Sequence, residues 1–141
     1  MDAKTKHKLI RDYINCYNSF DIEGMLSNLH SDVKFENIVN DEVTDRAENL
    51  VEFKILADRA KELFSFREQT IKKIDTEADR MVVEIDYSGV LAVDLPNGLQ
   101  AGQKLNFKGK SEFYFKGASQ FCKNIAKTEC HLSKHSVKKE S

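Results

Sequence analysis

The feature that most constrains how this chain can fold is a change of period. Through the first 65 residues or so apolar side chains recur every three or four positions, whereas beyond that point they alternate one by one, and these are the periods of helix and of strand. In residues 80–94, Met81, Val83, Ile85, Tyr87, Leu91 and Val93 alternate with Val82, Glu84, Asp86, Ser88, Val90 and Ala92. In residues 104–116, Leu105, Phe107, Gly109, Ser111, Phe113 and Phe115 share one face, and mostly charged or polar residues share the other. Each run therefore reads as a strand with one core-facing side, and those sides have to be covered by the helical half of the chain.

The helical half divides into recognisable pieces. Leu9, Ile10, Tyr13, Ile14, Tyr17 and Phe20 line one side of a first helix over residues 2–20. Asp21 can cap a short second helix, with Met25, Leu26 and Leu29 on its buried side and an end near His30, where a cationic side chain would suit the helix dipole. The stretch "SDVKFENIV", residues 31–39, reads as a strand: Val33, Phe35, Asn37 and Val39 share one face, and Lys34, Glu36 and Ile38 the other. The polar "NDEVTD" then reads as a loop with Thr44 as the next N-cap, ahead of a longer helix that carries Leu50, Phe53, Ala57, Ala60 and Phe64 and ends near Ser65. After it come a strand at "FREQTIKKID", the turn "TEAD", the two long strands with a loop at Pro96, Asn97 and Gly98 between them, a break at Gly117, and a weaker strand pattern at "SQFCKNIAKTECHL".

This order predicts an α+β domain with three N-terminal helices packed on one side of a cone-shaped, strongly curved, mainly antiparallel sheet. The domain is expected over residues 1–133, with 134–141 a charged, disordered tail. A bent sheet closed by helices can leave a cavity whose lining comes from the inner faces. Tyr13, Asn37, Tyr87 and Ser111 are the inward polar groups that the periodicity selects, and Tyr17 and Phe113 complete the expected ligand-contacting set. Read differently, the tyrosines are large packers with their hydroxyls reaching water, and Asn37 and Ser111 satisfy nearby backbone groups.

Charge and cysteine usage narrow the function classes. With 22 basic and 23 acidic residues the formal net charge is −1, which gives no global electrostatic case for nucleic acid or anionic membrane. Lys4, Lys6, Lys8 and Arg11 read as a solvated helix face, and neither a signal-like apolar run nor a membrane span is apparent, so a cytoplasmic protein is expected. Cys16, Cys122 and Cys130 form no C-x-x-C pair, in keeping with reduced thiols, and Cys16 reads as a small buried apolar residue. His131 and His135 are four apart with Cys122 and Cys130 nearby, but that segment reads as strand end and tail, so neither a metal nor any other cofactor is expected. Glu84 and Asp86 fall on the outer face. Val82, Val90, Ala92 and Tyr114, scattered there among Lys108, Lys110 and Glu112, make that face a candidate homodimer interface.

Two stretches carry a resemblance. "YNSFDIEGMLSNLHSDVKFEN", residues 17–37, and "FKGKSEFYFKG", residues 107–117, resemble the nuclear transport factor 2-like superfamily, and within it the SnoaL-like proteins, which include polyketide cyclases and ketosteroid isomerases. The resemblance spans nearly the whole chain and implies the cone-shaped fold, a small largely apolar ligand and a homodimer formed through the sheet. Ketosteroid isomerases use an Asp of the first strand as base, with a first-helix Tyr and a protonated late-strand Asp holding the oxyanion. Those positions fall on Asn37, Tyr13 and the neighbourhood of Ser111. An amide does not remove protons at neutral pH, and Glu36 next to it points to the opposite face. The expectation is therefore a SnoaL-like domain with a cavity that binds a small, largely apolar molecule. The alternatives are an isomerase, cyclase or dehydratase acting on a steroid- or polyketide-like substrate, and a non-catalytic dimerisation module.

Overall fold

The structure is a computed structural model that describes residues 3–116 and 120–129, with side chains described through Phe115. Helices α1 (Ala3–Asn18) and α2 (Ile22–Ser27) precede the hairpin β1 (Leu29–Val39) and β2 (Glu42–Ala47). Helix α3 (Leu50–Leu63) follows, and then β3 (Phe64–Thr76), β4 (Met81–Leu91), β5 (Lys104–Lys116) and β6 (Gln120–Glu129). The strands form one sheet in the order β2-β1-β6-β5-β4-β3, antiparallel throughout except for the parallel pair β1 and β6. This is the expected α+β architecture, with helices on one face of a mainly antiparallel sheet.

Alternation decides the faces as anticipated. Met81, Val83, Ile85 and Leu91 on β4 and Leu105, Ser111 and Phe113 on β5 are buried. The opposite side carries ion pairs, among them Lys108 to Asp86 at 3.2 Å and Lys72 to Asp86 at 3.9 Å. Beneath the helices the core joins Ile10, Tyr13 and Ile14 of α1, Ile22 and Met25 of α2, and Phe53 and Ala57 of α3 to Val33 and the inner residues of β4 and β5. A second, smaller cluster of Leu91, Leu99 and Leu105 lies under the 92–103 connection, with Phe64, Leu95 and Phe107 packed against it. A register shift between Ile71 and Lys73 of β3 puts Lys72 and Lys73 both outward, after which Ile74 turns back to the core.

The structure corrects three boundaries. The segment read as a loop is a β-hairpin, because Asn40 and Asp41 adopt left-handed φ values of 51° and 69° and so form the two-residue turn that matches strand twist. Thr44 consequently lies inside β2, and α3 is capped by Asn49, whose Oδ1 accepts from the Glu52 N–H at 2.9 Å while Glu52 accepts in return from the Glu48 N–H at 2.8 Å. Both Thr44 and Asn49 are competent caps, and strand pairing claimed the first. Helix α2 keeps its Asp21 cap, whose carboxylate accepts from the Gly24 N–H at 2.9 Å, but ends at Ser27. His30 therefore belongs to β1 rather than to a helix end, and its Nδ1 accepts from the Asp32 N–H at 3.1 Å. Gly117, the side chains of Cys122, Cys130, His131 and His135, and the tail 134–141 lie outside the described residues. Among the described residues no helix is long and apolar enough to cross a membrane.

Candidate ligand-binding site

The last turn of a helix leaves backbone carbonyls without intrahelical donors, and their partners decide what α1 docks against. The Tyr17 carbonyl accepts from Arg67 Nε at 2.9 Å, which puts a guanidinium at the negative end of the helix dipole. One residue on, the Asn18 side chain accepts from the Gln69 N–H at 2.7 Å and donates to the Gln69 carbonyl at 3.1 Å. Strand β3 is an edge of the sheet, and Asn18 acts as a short substitute for the strand it lacks. These bonds fix the end of α1 over the inner face of β3 and β4.

Three polar side chains meet there. The Tyr17 and Tyr87 hydroxyls are 2.8 Å apart and share one hydrogen bond. Arg67 is 1% exposed, and its guanidinium carbon lies 3.7 Å from the centre of the Tyr17 ring and 4.6 Å from that of Phe20. Phe20 reaches that position with a φ of 60°, a left-handed conformation that an aromatic residue rarely adopts. Around them, Tyr87 stacks on Phe107 with ring centres 4.6 Å apart and makes edge contacts with Phe64 and Tyr17. Tyr17, Gln69, Tyr87, Phe64 and Phe107 are all half-buried, so the cluster is a seam between the two apolar cores that reaches solvent at its rim.

Electrostatically the seam keeps its phenols neutral. Burial raises the pKa of Tyr17, opposed by the Arg67 charge and by hydrogen bonding to Tyr87, Gln69 and Arg67. Burial also pushes Tyr87 far above the ordinary phenol value, and the neighbouring Tyr17 adds to the shift. Among the described ion pairs none involves Arg67, and its Nη2 is a buried atom without a hydrogen-bond partner among the described residues. Two hydroxyls and a guanidinium can hold an oxygen atom, whereas a proton acceptor suited to acid–base work is not part of the cluster.

The expected site residues separate into three places. Tyr17 and Tyr87 come together. Tyr13 and Phe113 pack edge to face deeper in the core, with ring centres 5.8 Å apart, and Ser111 is buried on the same strand as Phe113. Asn37 stands apart: its Nδ2 donates to Thr44 Oγ1 at 3.0 Å across the β1–β2 hairpin, and β6 and β5 lie between its strand and β4. Glu36 faces away as expected, bound by the Arg46 guanidinium at 2.8 and 3.1 Å. Arg67, Gln69, Phe64 and Phe107 are not among the site residues that the sequence pattern selects. The signal for the first two was present, since Arg67, Gln69 and Ile71 alternate onto one face, and an arginine sharing the apolar side of a strand asks for a partner.

On the other face an open trough of about 1150 Å³ runs over β3, β4 and β5, and Ile38 and Asp41 of the hairpin close its far side. Its walls carry both charges: Lys72, Lys108 and Lys110 against Glu84 and Asp86.

No protein-family model matches the chain, and no curated protein sequence does. Solved structures match it closely in shape. TsrD from Streptomyces laurentii superposes with a TM-score of 0.77 at 15% identity, covering 96% of this chain and 95% of that one. A provisionally assigned SnoaL-like polyketide cyclase from Jannaschia sp. CCS1 gives a TM-score of 0.77 at 12% identity, covering 95% and 91%. An NTF2-like protein of unknown function from Burkholderia pseudomallei gives 0.73 at 11% identity, covering 98% and 97%. The chain thus shares the fold of NTF2-like and SnoaL-like solved structures.

Proposed function

We propose that this domain binds a small, largely apolar molecule bearing an oxygen function at the inner-face seam, and that it does so without acid–base turnover. The observation that carries the reading is the Tyr17–Tyr87 hydroxyl pair, set among Phe64 and Phe107 and fixed by the end of α1. Aromatic walls supply apolar contact, and the hydroxyls, held neutral by burial, orient a carbonyl or hydroxyl without a change of charge. Asn37 at the position of the isomerase base supports binding over catalysis, because an amide neither takes up nor releases a proton at neutral pH.

A panel of steroid-like, polyketide-like and fatty ketones and alcohols is expected to raise the melting temperature. Each lost hydrogen bond is worth about 1 kcal/mol, so the doubly substituted Tyr17→Phe/Tyr87→Phe protein should bind the same compounds several-fold more weakly. A panel that leaves the melting temperature unmoved overturns the proposal.

The outer trough supports a homodimer formed sheet to sheet. A two-fold interface presents one patch to itself, so it needs both charges within that patch, and the lysines facing Glu84 and Asp86 supply them.

A further inference from the structure

We infer that the molecule taken at the seam is an acid, and that its negatively charged oxygen completes the coordination of Arg67; the inference rests on the binding reading above. Arg67 is held by one backbone carbonyl, two aromatic rings and the Tyr17 hydroxyl, and no carboxylate joins it among the described ion pairs. A guanidinium carries five N–H donors, and a buried one without an anion forgoes the interactions that normally offset its desolvation. The Nη2 atom, buried and without a partner among the described residues, is where that deficit is located.

The neighbouring groups sharpen the ligand class. Two tyrosine hydroxyls carry two protons, and the 2.8 Å bond between them uses one. The second hydroxyl proton and the Nη2 protons are therefore donors in surplus beside a positive charge, and Arg67 acts on the Tyr17 hydroxyl itself. A neutral ketone or alcohol satisfies the tyrosine proton and leaves the guanidinium unpaired. A carboxylate, or the enolate or phenolate form of an acidic aromatic, satisfies both, with an oxygen accepting from Arg67 Nη2 and its apolar body against Tyr87, Phe107 and Phe64. Strained Phe20 fits the same purpose: its ring and that of Tyr17 hold the guanidinium in place when no anion is bound.

The test is a set of matched probes that differ only in charge: naphthoate with its methyl ester and carboxamide, and decanoate with methyl decanoate, titrated calorimetrically into the full chain. The acid of each series is expected to bind about ten-fold more tightly than its neutral partners, the size of one charge-assisted hydrogen bond. That preference should fall to within about two-fold in Arg67→Met and persist in part in Arg67→Lys, which keeps the charge without the fork. Should Arg67→Met fail to fold, the wild-type protein still answers by NMR, since the Arg67 Nε–Hε resonance must move on adding the acid and stay in place on adding the ester. Equal affinity for acid and ester overturns the inference and leaves the binding proposal standing. Binding of neither defeats both, and an acid preference untouched in Arg67→Met, or an Arg67 resonance indifferent to the acid, shows a guanidinium satisfied by buried water alone.

Discussion

At the scale of single residues, the seam turns on protons that two tyrosines keep. Burial raises the pKa of Tyr17 and Tyr87 above the phenol value of about 10, so in the folded chain both stay neutral where the unfolded chain ionises. The stability they contribute is fully present below about pH 10 and is lost as the pH climbs from there towards the folded values, because the unfolded state then releases protons that the folded state retains. Denaturant unfolding followed from about pH 8 to about pH 11 should show a steep alkaline decline in the wild type and a shallower one in Tyr87→Phe, which has nothing to ionise. Equal slopes would show that the hydroxyl is solvated. The sequence reading selected both tyrosines by face, but the bond between them joins residues 70 apart in the chain, and no local pattern encodes that distance. Tyr13, four residues before Tyr17 on the same helix, was matched to the isomerase tyrosine, yet it packs into the core against Phe113.

At the scale of elements, the corner between α1 and α2 shows how tightly the cap of one helix is packed against the side of another. Gly24 lies in the first turn of α2, where a Cβ would stand 2.6 Å from Cys16 Sγ and closer still to the Asp21 carboxylate that caps the helix. Glycine to alanine inside an ordinary helix is stabilising by about 0.5–1 kcal/mol, but Gly24→Ala is expected to destabilise by about 1–3 kcal/mol, as measured by chemical denaturation. A gain in stability would mean that the corner yields. Element type was legible almost throughout, because the periods of 3.6 and 2 are imposed by backbone geometry and appear in the order of apolar residues. Lys104–Lys116 came out residue for residue, and the cap at Asp21 was readable from its own side chain. Strand β2 was missed because five of its six residues are exposed and it has no buried alternation to read. Only the left-handed Asn40–Asp41 pair announces it.

At the scale of the whole molecule, the two faces of one sheet have different tasks. The inner face is filled by helices up to the seam, and the outer face carries a trough of mixed charge. If two copies meet through that trough, opposite charges are set against each other and the association weakens as salt screens them. Sedimentation at rising ionic strength should then show a dimer dissociating, and Ile38→Asp, which adds a charge to the trough lining, should give a monomer already at low salt. A wild-type protein monomeric under all these conditions removes the dimer from consideration.

The sequence by itself determined the fold class and the division of residues between the faces of the sheet, because both follow from local periodicity. The tertiary structure alone decided that Tyr17 meets Tyr87, that Asn37 turns to Thr44, and that Arg67 is buried at the end of α1. Those outcomes depend on how the sheet is ordered and where a helix stops over it. Both are settled by packing between distant segments, and the spacing of residues along the chain does not carry that information.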